Sequence, residues 1–375
     1  ADDRPDKVSL ASGVYVDESG TTPVLDTVRE AEVRILAVQT TKVYKPIGGD
    51  PAYTGPVRDL VFGADHPAVA GSRVETLHTP GGTGALRVAG DLVASIEPGA
   101  AVWLSTPTWP NHPQVFDAAG LPIRSYPYLG EDGGLDVETM LSVLRSVPAG
   151  DVVVLHGCCH NPTGIDPSVG QWGRIADTLA EAGALPLLDF AYQGFADGLS
   201  EDARGLLALL ARERTMLVAS SFSKNFALYD ERVGALSIVG ADADETATLL
   251  SHAKAVIRAN YSNPPAHGGE IVATVLADED LRARWVDEVG MMRDRINGNR
   301  AKFVSGLQAA GAPGNHDALM RQRGMFSLLP LGEERVARLR DEFGIYVVGK
   351  GRVNVAGLTE ANLEPVCRAI AAVTS

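Results

Sequence analysis

Short apolar segments alternate with helical segments along much of this chain, and this alternation narrows its possible folds more than any other feature. Five segments are rich in Val, Leu and Ile on both faces, as strands covered on both sides are: AAVWLSTPTWP, DVVVLHGCC, ALPLLDFAY, TMLVASSFS and GALSIVG. Helical segments lie between several of them, among them GTGALRVAGDLVASI and VGQWGRIADTLAEAGA. The pattern predicts an α/β fold in which a mostly parallel sheet lies between helices and binds ligands at the carboxyl ends of its strands.

The C-terminal part of the chain has a different character. A long helical pattern near residues 265–310 carries one apolar stripe through Trp285, Val289, Met292 and Ile296. The segments after it suggest a small α+β unit, which the N-terminal segment can join: GMFSLLPL, GIYVVGKGRVNVAG and TEANLEPVCRAIAAV. We therefore predict a large domain over residues 23–290 and a small domain from both chain ends, 1–22 and 291–375. The helix near 265–310 is expected to bridge them.

Composition excludes several classes of partner. A formal net charge of -14 over 375 residues argues against binding to nucleic acid or to an anionic membrane. No apolar run is long enough to span a bilayer, and the first residues lack a signal-peptide pattern. Three cysteines cannot build a disulfide framework, which fits a reducing cytoplasm.

The segment HGCCHNPTG suggests a metal site at first sight. If a strand continues through it, His156 and His160 lie roughly 13 Å apart on one face, at about 3.3 Å per residue. Ligand bonds of only about 2.0–2.3 Å cannot bridge that gap, and metal-site spacing such as C-x2-C is absent. We therefore predict no metal, reduced core cysteines, and a strand-end turn at which the amide of Asn161 faces a ligand.

Two later strands end in comparable polar chemistry. Asp189 and Tyr192 follow one of them, and four residues follow the next: Ser221, Ser223, Lys224 and Arg232. Together with Asn161, these groups suit a cofactor with a cationic nitrogen, an ionisable oxygen and a carbonyl. The turn TPGGTGALR adds backbone N–H groups for a phosphate. Pyridoxal 5′-phosphate has all four features, and its sites pair a Schiff-base lysine with an acid that faces the pyridine nitrogen.

Each signal also has an ordinary structural interpretation. A lone lysine is usually solvated, Asp189 could cap a helix, and Gly-rich turns are common. Trp109 and His112 could be loop packing, and Arg258 and Arg352 could be surface charges. The combination of signals, and no single motif, points to the cofactor.

Over almost its whole length, from about Arg4 to the final helix, the chain resembles the aspartate/aromatic aminotransferases, class I pyridoxal-phosphate enzymes of fold type I. Nine segments carry the resemblance, in the order expected for the family: RPDKVSLASGVYVDESG, TPGGTGALRVAGDL, PTWPNH, HGCCHNPTGIDP, DFAYQGFADGL, SSFSKNFALYDERVGA, IRANYSNPPAHGG, GMFS and GRVNVAGL. The length and order of these segments make a chance match untenable.

The resemblance implies a role for each matching residue. Lys224 would form the internal aldimine and move the α-proton, Asp189 would pair with the pyridine nitrogen, and His112 would support Asp189. Tyr192 and Asn161 would bond the phenolic oxygen. The remaining cofactor contacts would be Trp109 on the ring and Gly82, Thr83, Ser221, Ser223 and Arg232 at the phosphate, with Tyr44 reaching it from a second subunit.

For the substrate, the resemblance implies that Arg352 binds the α-carboxylate, with Gly13 nearby. Arg258 of the second subunit would bind a side-chain carboxylate. The implied enzyme is a homodimer with shared active sites that moves the amino group of L-aspartate, aromatic L-amino acids or both to 2-oxoglutarate by a ping-pong mechanism. The resemblance also implies that Val16 and Val43 line the entrance of the site, where they would favour substrates with apolar side chains. A pyridoxal-phosphate lyase or decarboxylase on the same scaffold is the alternative. A cofactor-binding regulator is disfavoured, because no DNA-binding region is present.

Overall fold

A computed structural model describes residues 2–4 and 6–375, and a seven-stranded sheet forms the centre of the molecule. Its strand order is β2-β8-β7-β6-β5-β3-β4, and only β8 runs antiparallel to its neighbours. The strands are β1 Val8–Ser9, β2 Val74–Pro80, β3 Val102–Thr106, β4 Ile123–Pro127, β5 Val152–His156, β6 Leu185–Phe190, β7 Met216–Ser221, β8 Val233–Val239, β9 Phe326–Leu328, β10 Ile345–Tyr346 and β11 Arg352–Asn354.

Helices cover both faces of this sheet, which confirms the predicted α/β architecture with a mostly parallel sheet. The helices are α1 Asp26–Val38, α2 Pro51–Phe62, α3 Pro67–Ala70, α4 Gly81–Ile96, α5 His112–Ala118, α6 Val137–Leu144, α7 Val169–Ala182, α8 Arg204–Leu210, α9 Ala243–Asn260, α10 His267–Ala277, α11 Glu279–Ala309, α12 Gly332–Phe343 and α13 Glu360–Thr374. Three short 3₁₀ turns lie at Glu201–Ala203, Asp317–Arg321 and Val355–Gly357.

The central strands are largely apolar because each one faces two cores. Every residue of β5 is buried, and its side chains alternate between the two layers. Val152 and Val154 belong to one apolar cluster, whereas Val153 and Leu155 belong to the other. This alternation is what a strand with period two gives when helices cover both of its faces.

The sequence pattern did not predict two strands of this sheet, β2 and β4, and both lie at its edges. β4 exposes its first three residues, Ile123, Arg124 and Ser125, so its sequence lacks the continuous apolar character of a central strand. β2 carries Glu75 on an otherwise buried strand at the opposite edge.

A strand near the N-terminus pairs with a strand of the C-terminal part of the chain. β1 pairs in parallel with β10 through Val8 and Ile345, and β9 pairs antiparallel with β11. The closing helix α13 packs against α11. The N-terminal segment therefore joins the C-terminal part of the chain through the pairing of β1 with β10.

The single long helix predicted near residues 265–310 is wrong in one respect, because it is broken at Asp278. α10 ends at Ala277 and α11 begins at Glu279. Asp278 adopts an extended conformation, and its carboxylate accepts a hydrogen bond from the Leu281 backbone N–H. The acid thus caps the second helix, which is the usual role of Asp at a helix start. No helix among the described residues has the length and apolar character needed to cross a membrane.

Candidate active site

The carboxyl ends of β5, β6 and β7 meet at one edge of the sheet and surround a cavity of about 180 Å³. Most of the predicted site residues line this cavity. They are Gly13, Gly82, Thr83, Trp109, Asn161, Asp189, Tyr192, Ser221, Ser223, Lys224 and Arg232. The parallel arrangement explains the convergence, because loops that follow neighbouring parallel strands emerge on the same side.

Lys224 follows β7 and offers a reactive amine to the cavity. Its Nζ lies 4.9 Å from the centroid of the Tyr192 ring. Burial lowers the pKa of Lys224 to about 8, an effect that the charge of Asp189 opposes and that of Arg232 reinforces. A lysine with this pKa keeps a substantial neutral fraction near pH 7–8, as a nucleophilic or basic amine requires.

Asp189, the fifth residue of β6, is held by His112, the first residue of α5. The His112 Nε2 lies 2.9 Å from Asp189 Oδ2, and its Nδ1 lies 2.8 Å from the Thr108 hydroxyl. Burial acts to raise the pKa of Asp189, but the hydrogen bond and charge of His112, together with the charges of His156 and Lys224, lower that pKa overall. Asp189 therefore remains a carboxylate in an almost closed environment and can face a cationic ring nitrogen.

One end of the cavity is built to hold an anion. The first turn of α4 contributes backbone N–H groups at Gly82 and Thr83, and β7 contributes Ser221. The Arg232 guanidinium donates to the Ser223 hydroxyl at 3.1 Å and pairs with no carboxylate among the described residues. A helix N-terminus with hydroxyls and an uncompensated guanidinium is a suitable phosphate site.

Two positions of the anion site, Gly81 and Gly82, have room for glycine but not for a residue with a side chain. Gly81 has a φ of +71°, and a Cβ there would lie 2.6 Å from an Arg232 nitrogen. A Cβ at Gly82 would lie 3.0 Å from the Ser221 Cβ. Any side chain at these positions would push the guanidinium and the hydroxyl out of place.

A buried cation without a counter-ion lies beside Asn161, one of the residues that line the cavity. Arg352 begins β11, is only 8% exposed, and stacks at 4.1 Å on the Phe326 ring. It donates to Asn161 Oδ1 at 3.2 Å and to the Ala11 carbonyl at 2.9 Å, while its Nε has no partner. Burial lowers the pKa of Arg352, and no described carboxylate pairs with it. A ligand carboxylate would supply the missing partner.

Four predicted site residues do not line the cavity. His112 and Arg352 bond the lining residues Asp189 and Asn161, whereas Tyr44 and Arg258 lie away from the cavity. Tyr44 is 90% exposed. Arg258, near the end of α9, is also exposed, and its guanidinium donates to the Ser262 hydroxyl. Gly13, in contrast, does line the cavity. Val16 and Val43 do not: Val16 borders a separate groove beside the N-terminal segment, and Val43 is largely exposed.

The strand geometry assumed for His156 and His160 is wrong. β5 ends at His156, and the following turn brings the two imidazole centroids to 4.2 Å. The cause is a sharp turn in which Cys159 has a φ of +52°. His160 stacks on Tyr128 and bonds Ser105 and Thr163, and the described residues contain no group of three His, Cys, Asp or Glu arranged to hold a metal. The Asn161–Pro162 peptide that follows is cis.

Several residues of the site were missed from the sequence. His156 lines the cavity and lies 3.2 Å from the Thr108 hydroxyl, so Thr108 joins it to His112. Tyr229 also lines the cavity, and its hydroxyl accepts from the Tyr15 backbone N–H at 2.8 Å. The last residue of a buried strand was a usable signal for His156, but the Tyr229 contact joins segments far apart in sequence.

Comparison with known proteins agrees with this geometry. Residues 5–370 match the family model described as aminotransferase class I and II. The chain is 52% identical to an aspartate aminotransferase of Salmonella typhi, covering 100% of this chain and 94% of that protein. It is 46% identical to an aromatic-amino-acid aminotransferase of Pseudomonas aeruginosa, covering 99% and 93%. A crystal structure of the aromatic-amino-acid aminotransferase from Burkholderia pseudomallei, covalently bound to pyridoxal phosphate, superposes with a TM-score of 0.97 at 46% identity over 100% of this chain and 94% of that one.

Proposed function

The chain belongs to the class I and II aminotransferases, and within that family we propose that it moves the amino group of L-aspartate, of aromatic L-amino acids, or of both to 2-oxoglutarate. One observation carries the proposal. The amine of Lys224, with its lowered pKa, opens into the same cavity as the carboxylate of Asp189, which His112 keeps ionised. The lyase or decarboxylase alternative is not favoured, because the full-length relatives are aminotransferases.

The donor set of the cavity fits pyridoxal 5′-phosphate, the cofactor of this enzyme. When bound, this cofactor supplies a conjugated ring that delocalises the electron pair left on the substrate Cα. Lys224 would hold it at the carbonyl end, Asp189 at the ring nitrogen, and Tyr192 with Asn161 at the phenolic oxygen. The anion site formed by the first turn of α4, Ser221, Ser223 and Arg232 would hold the phosphate.

The chain's own groups provide binding and proton transfer. The unpaired guanidinium of Arg352 binds the α-carboxylate of the amino acid and so fixes the orientation of the substrate Cα. The Lys224 amine would then move the proton from Cα to the carbon of the cofactor that carried its carbonyl. In the second half of the reaction it would move a proton in the opposite direction, onto Cα of the new amino acid. The Trp109 ring borders the cavity, where it limits access of water.

A homodimer with shared sites forms part of the proposal. Tyr44 and Arg258 lie outside their own cavity, so a second copy is needed to bring them to one. Four large apolar side chains shortly before Tyr44 in the sequence are exposed, which indicates a surface that another chain covers. They are Val33, Leu36, Val38 and Val43. A groove of about 430 Å³ runs beside the same segment.

Arg258 of the second chain would bind the side-chain carboxylate of aspartate, glutamate or 2-oxoglutarate, and the Arg258 side chain would have to turn away to admit an aromatic side chain.

We also propose that residues 23–290 form the cofactor-binding domain, with the two chain ends forming the small domain, a division that β1–β10 pairing supports. A reducing, cytoplasmic location is proposed on the strength of three free, buried cysteines.

The direct test follows the visible absorption band of the cofactor-loaded protein. L-Aspartate and then L-phenylalanine are added separately, without any oxo acid. We expect each active amino acid to abolish the band and release one equivalent of its oxo acid, and the relative rates rank the substrates. A band that persists with both, while ammonia or carbon dioxide is released, would refute transamination.

A further inference from the structure

Asp166 lies just beyond the turn that carries Asn161, and the mechanism above gives it no role. Its Oδ2 accepts a hydrogen bond from the Cys159 backbone N–H at 2.7 Å, and its Oδ1 accepts one from the His160 backbone N–H at 2.9 Å. These N–H groups belong to the two residues that immediately precede Asn161. The Asp166 carboxylate therefore fixes the backbone at the point where the chain enters the site.

The turn needs such a support because it has left the sheet. β5 ends at His156, and the Gly157 N–H still bonds the Asp189 carbonyl at 2.8 Å. Beyond it, Cys159 and His160 are buried and have no strand partner, and Cys159 adopts a left-handed φ of +52°. Buried backbone N–H groups without a partner are costly, and a left-handed conformation strains any residue other than glycine. Asp166 satisfies both N–H groups and stabilises the strained conformation.

The far side of the turn faces the reaction. Asn161 is 3% exposed and lines the cavity, where its Oδ1 accepts from the Arg352 guanidinium. Asp166 itself does not line the cavity. Asn161 is thus held from two sides: the Arg352 guanidinium bonds its side chain, and the Asp166 carboxylate holds the backbone of the two residues before it.

We propose that Asp166 is a positioning residue for transamination, whose carboxylate fixes the turn over residues 157–161 and thereby aims the Asn161 amide at the cofactor's phenolic oxygen. This inference rests on the proposed function, since it assumes the cofactor contact of Asn161. Asp166 acts only through Asn161 and touches neither cofactor nor substrate.

The ionisation of Asp166 supports this role under assay conditions. Burial, together with the nearby charge of Asp202, raises its pKa to about 6, and the hydrogen bonds from His160 and Cys159 limit the rise. At pH 8 the group is therefore ionised, and both oxygens accept. In an Asp166→Asn variant one oxygen becomes an NH₂ group, which faces a backbone N–H as a second donor, so one of the two bonds must break.

The chain contains a matched control at the other end of the same strand. Asp151 immediately precedes β5, and its two oxygens accept from the Ala101 backbone N–H and the Trp103 indole N–H, both at 2.8 Å. Asp151→Asn removes the same two-acceptor carboxylate at the amino end of β5, whereas the cavity lies at the carboxyl end of that strand. A purely structural effect of losing a two-bond carboxylate should appear in both variants.

The experiment compares holoenzyme variants by the pH titration of the cofactor's visible band and by steady-state kinetics at pH 8. A hydrogen bond to the phenolic oxygen favours its ionised form, so misaiming Asn161 should raise the midpoint by about 0.5–1 pH unit in Asp166→Asn. The same variant should lose about tenfold in kcat for the better substrate, whereas Asp151→Asn should change neither quantity. In the cofactor-free protein, amide hydrogen exchange at Cys159 and His160 should accelerate only in Asp166→Asn.

A double-mutant cycle with Asn161→Ala tests whether the effect of Asp166→Asn acts through Asn161. In an Asn161→Ala background, Asp166→Asn should add little further shift of the band, since the group it positions is gone. An unmoved band in Asp166→Asn, an equal shift in Asp151→Asn, or full additivity with Asn161→Ala would each overturn the proposal. If Asp166→Asn does not fold, Asp166→Ser, which keeps an oxygen acceptor, replaces it under the same criteria. Failure of the proposed function is distinct, because wild-type enzyme would then not respond to amino acids.

Discussion

The His112 imidazole and the Asp189 carboxylate form a buried pair, with Nε2 and Oδ2 separated by 2.9 Å and no exposure of the imidazole. This contact keeps the carboxylate ionised against the effect of burial. It also connects Asp189, through Thr108, to His156 at the end of the neighbouring strand. The charge that would face the cofactor's ring nitrogen therefore depends on His112, a residue of α5.

Replacing His112 by Ala should weaken the enzyme most strongly at low pH. Without its hydrogen bond and charge, the effect of burial is opposed only by the charges of His156 and Lys224, so the pKa of Asp189 rises. Activity that requires the carboxylate should then fall off at a higher pH on the acidic side of the kcat profile, with about tenfold loss at the optimum. The pH–rate profile measures this, and His252→Ala on the exposed face of α9 is the control. An unchanged acidic limb would contradict the role assigned to the pair.

Lys224→Met should abolish transamination yet stabilise the cofactor-free protein at neutral pH. The folded state lowers the pKa of Lys224 from 10.5 to about 8, so the ammonium is disfavoured in the folded state. Its cost is fully present below pH 8 and disappears as pH rises towards 10.5. Urea unfolding at fixed protein concentration should show a gain of about 2–3 kcal/mol at pH 7 that shrinks near pH 10. A pH-independent gain would mean that packing, and not charge, is responsible.

Mixing two inactive variants should restore activity towards aspartate. Lys224→Ala destroys the site of its own chain, whereas Arg258→Ala damages the site of the other chain. In a hybrid dimer one site keeps both residues, so random re-association should recover about a quarter of wild-type activity. Aspartate turnover before and after mixing in mild denaturant measures this. No recovery, despite hybrids detected by mass spectrometry, would place Arg258 in its own site or outside any site.

Tyr229→Phe should loosen the N-terminal segment that borders the cavity. The Tyr229 hydroxyl accepts from the Tyr15 N–H at 2.8 Å, and its backbone carbonyl accepts from Arg232. Loss of the hydroxyl should raise the substrate KM several-fold, leave kcat within about twofold, and accelerate hydrogen exchange at the Tyr15 amide. Tyr346→Phe, outside the cavity, should do none of these. A lowered kcat with unchanged KM would instead indicate a role in the chemical step.

Ala227→Gly should stabilise the protein. Ala227 has a φ of +53°, a conformation that costs a residue with a Cβ roughly 1–2 kcal/mol, while added freedom of the unfolded chain offsets part of the gain. We expect a net gain of about 0.5–1 kcal/mol in urea unfolding. Ala208→Gly inside α8 is the matched control and should lose about the same amount, since glycine weakens a helix interior. Destabilisation by both substitutions would show that the left-handed turn is not strained.

Sequence alone determined the central part of the fold and most of the site. The apolar runs of β5 to β8 could be recognised because a strand covered on both faces has no polar alternation. Asp189, Asn161 and Lys224 could be grouped because neighbouring parallel strands end at one edge, so strand-end residues converge whatever the loops do. Local chemistry plus one topological rule was sufficient for these residues.

Tertiary structure decided what depends on loop paths and long-range contacts. The turn after His156 folds back and brings His160 against it, which strand geometry could not anticipate. The break at Asp278 depends on one capping hydrogen bond, and the contact of Tyr229 with Tyr15 joins segments far apart in sequence. Hydrophobic periodicity reports only which face of an element is buried. The partners of an individual polar group are set by where the chain returns, and only the folded chain specifies that.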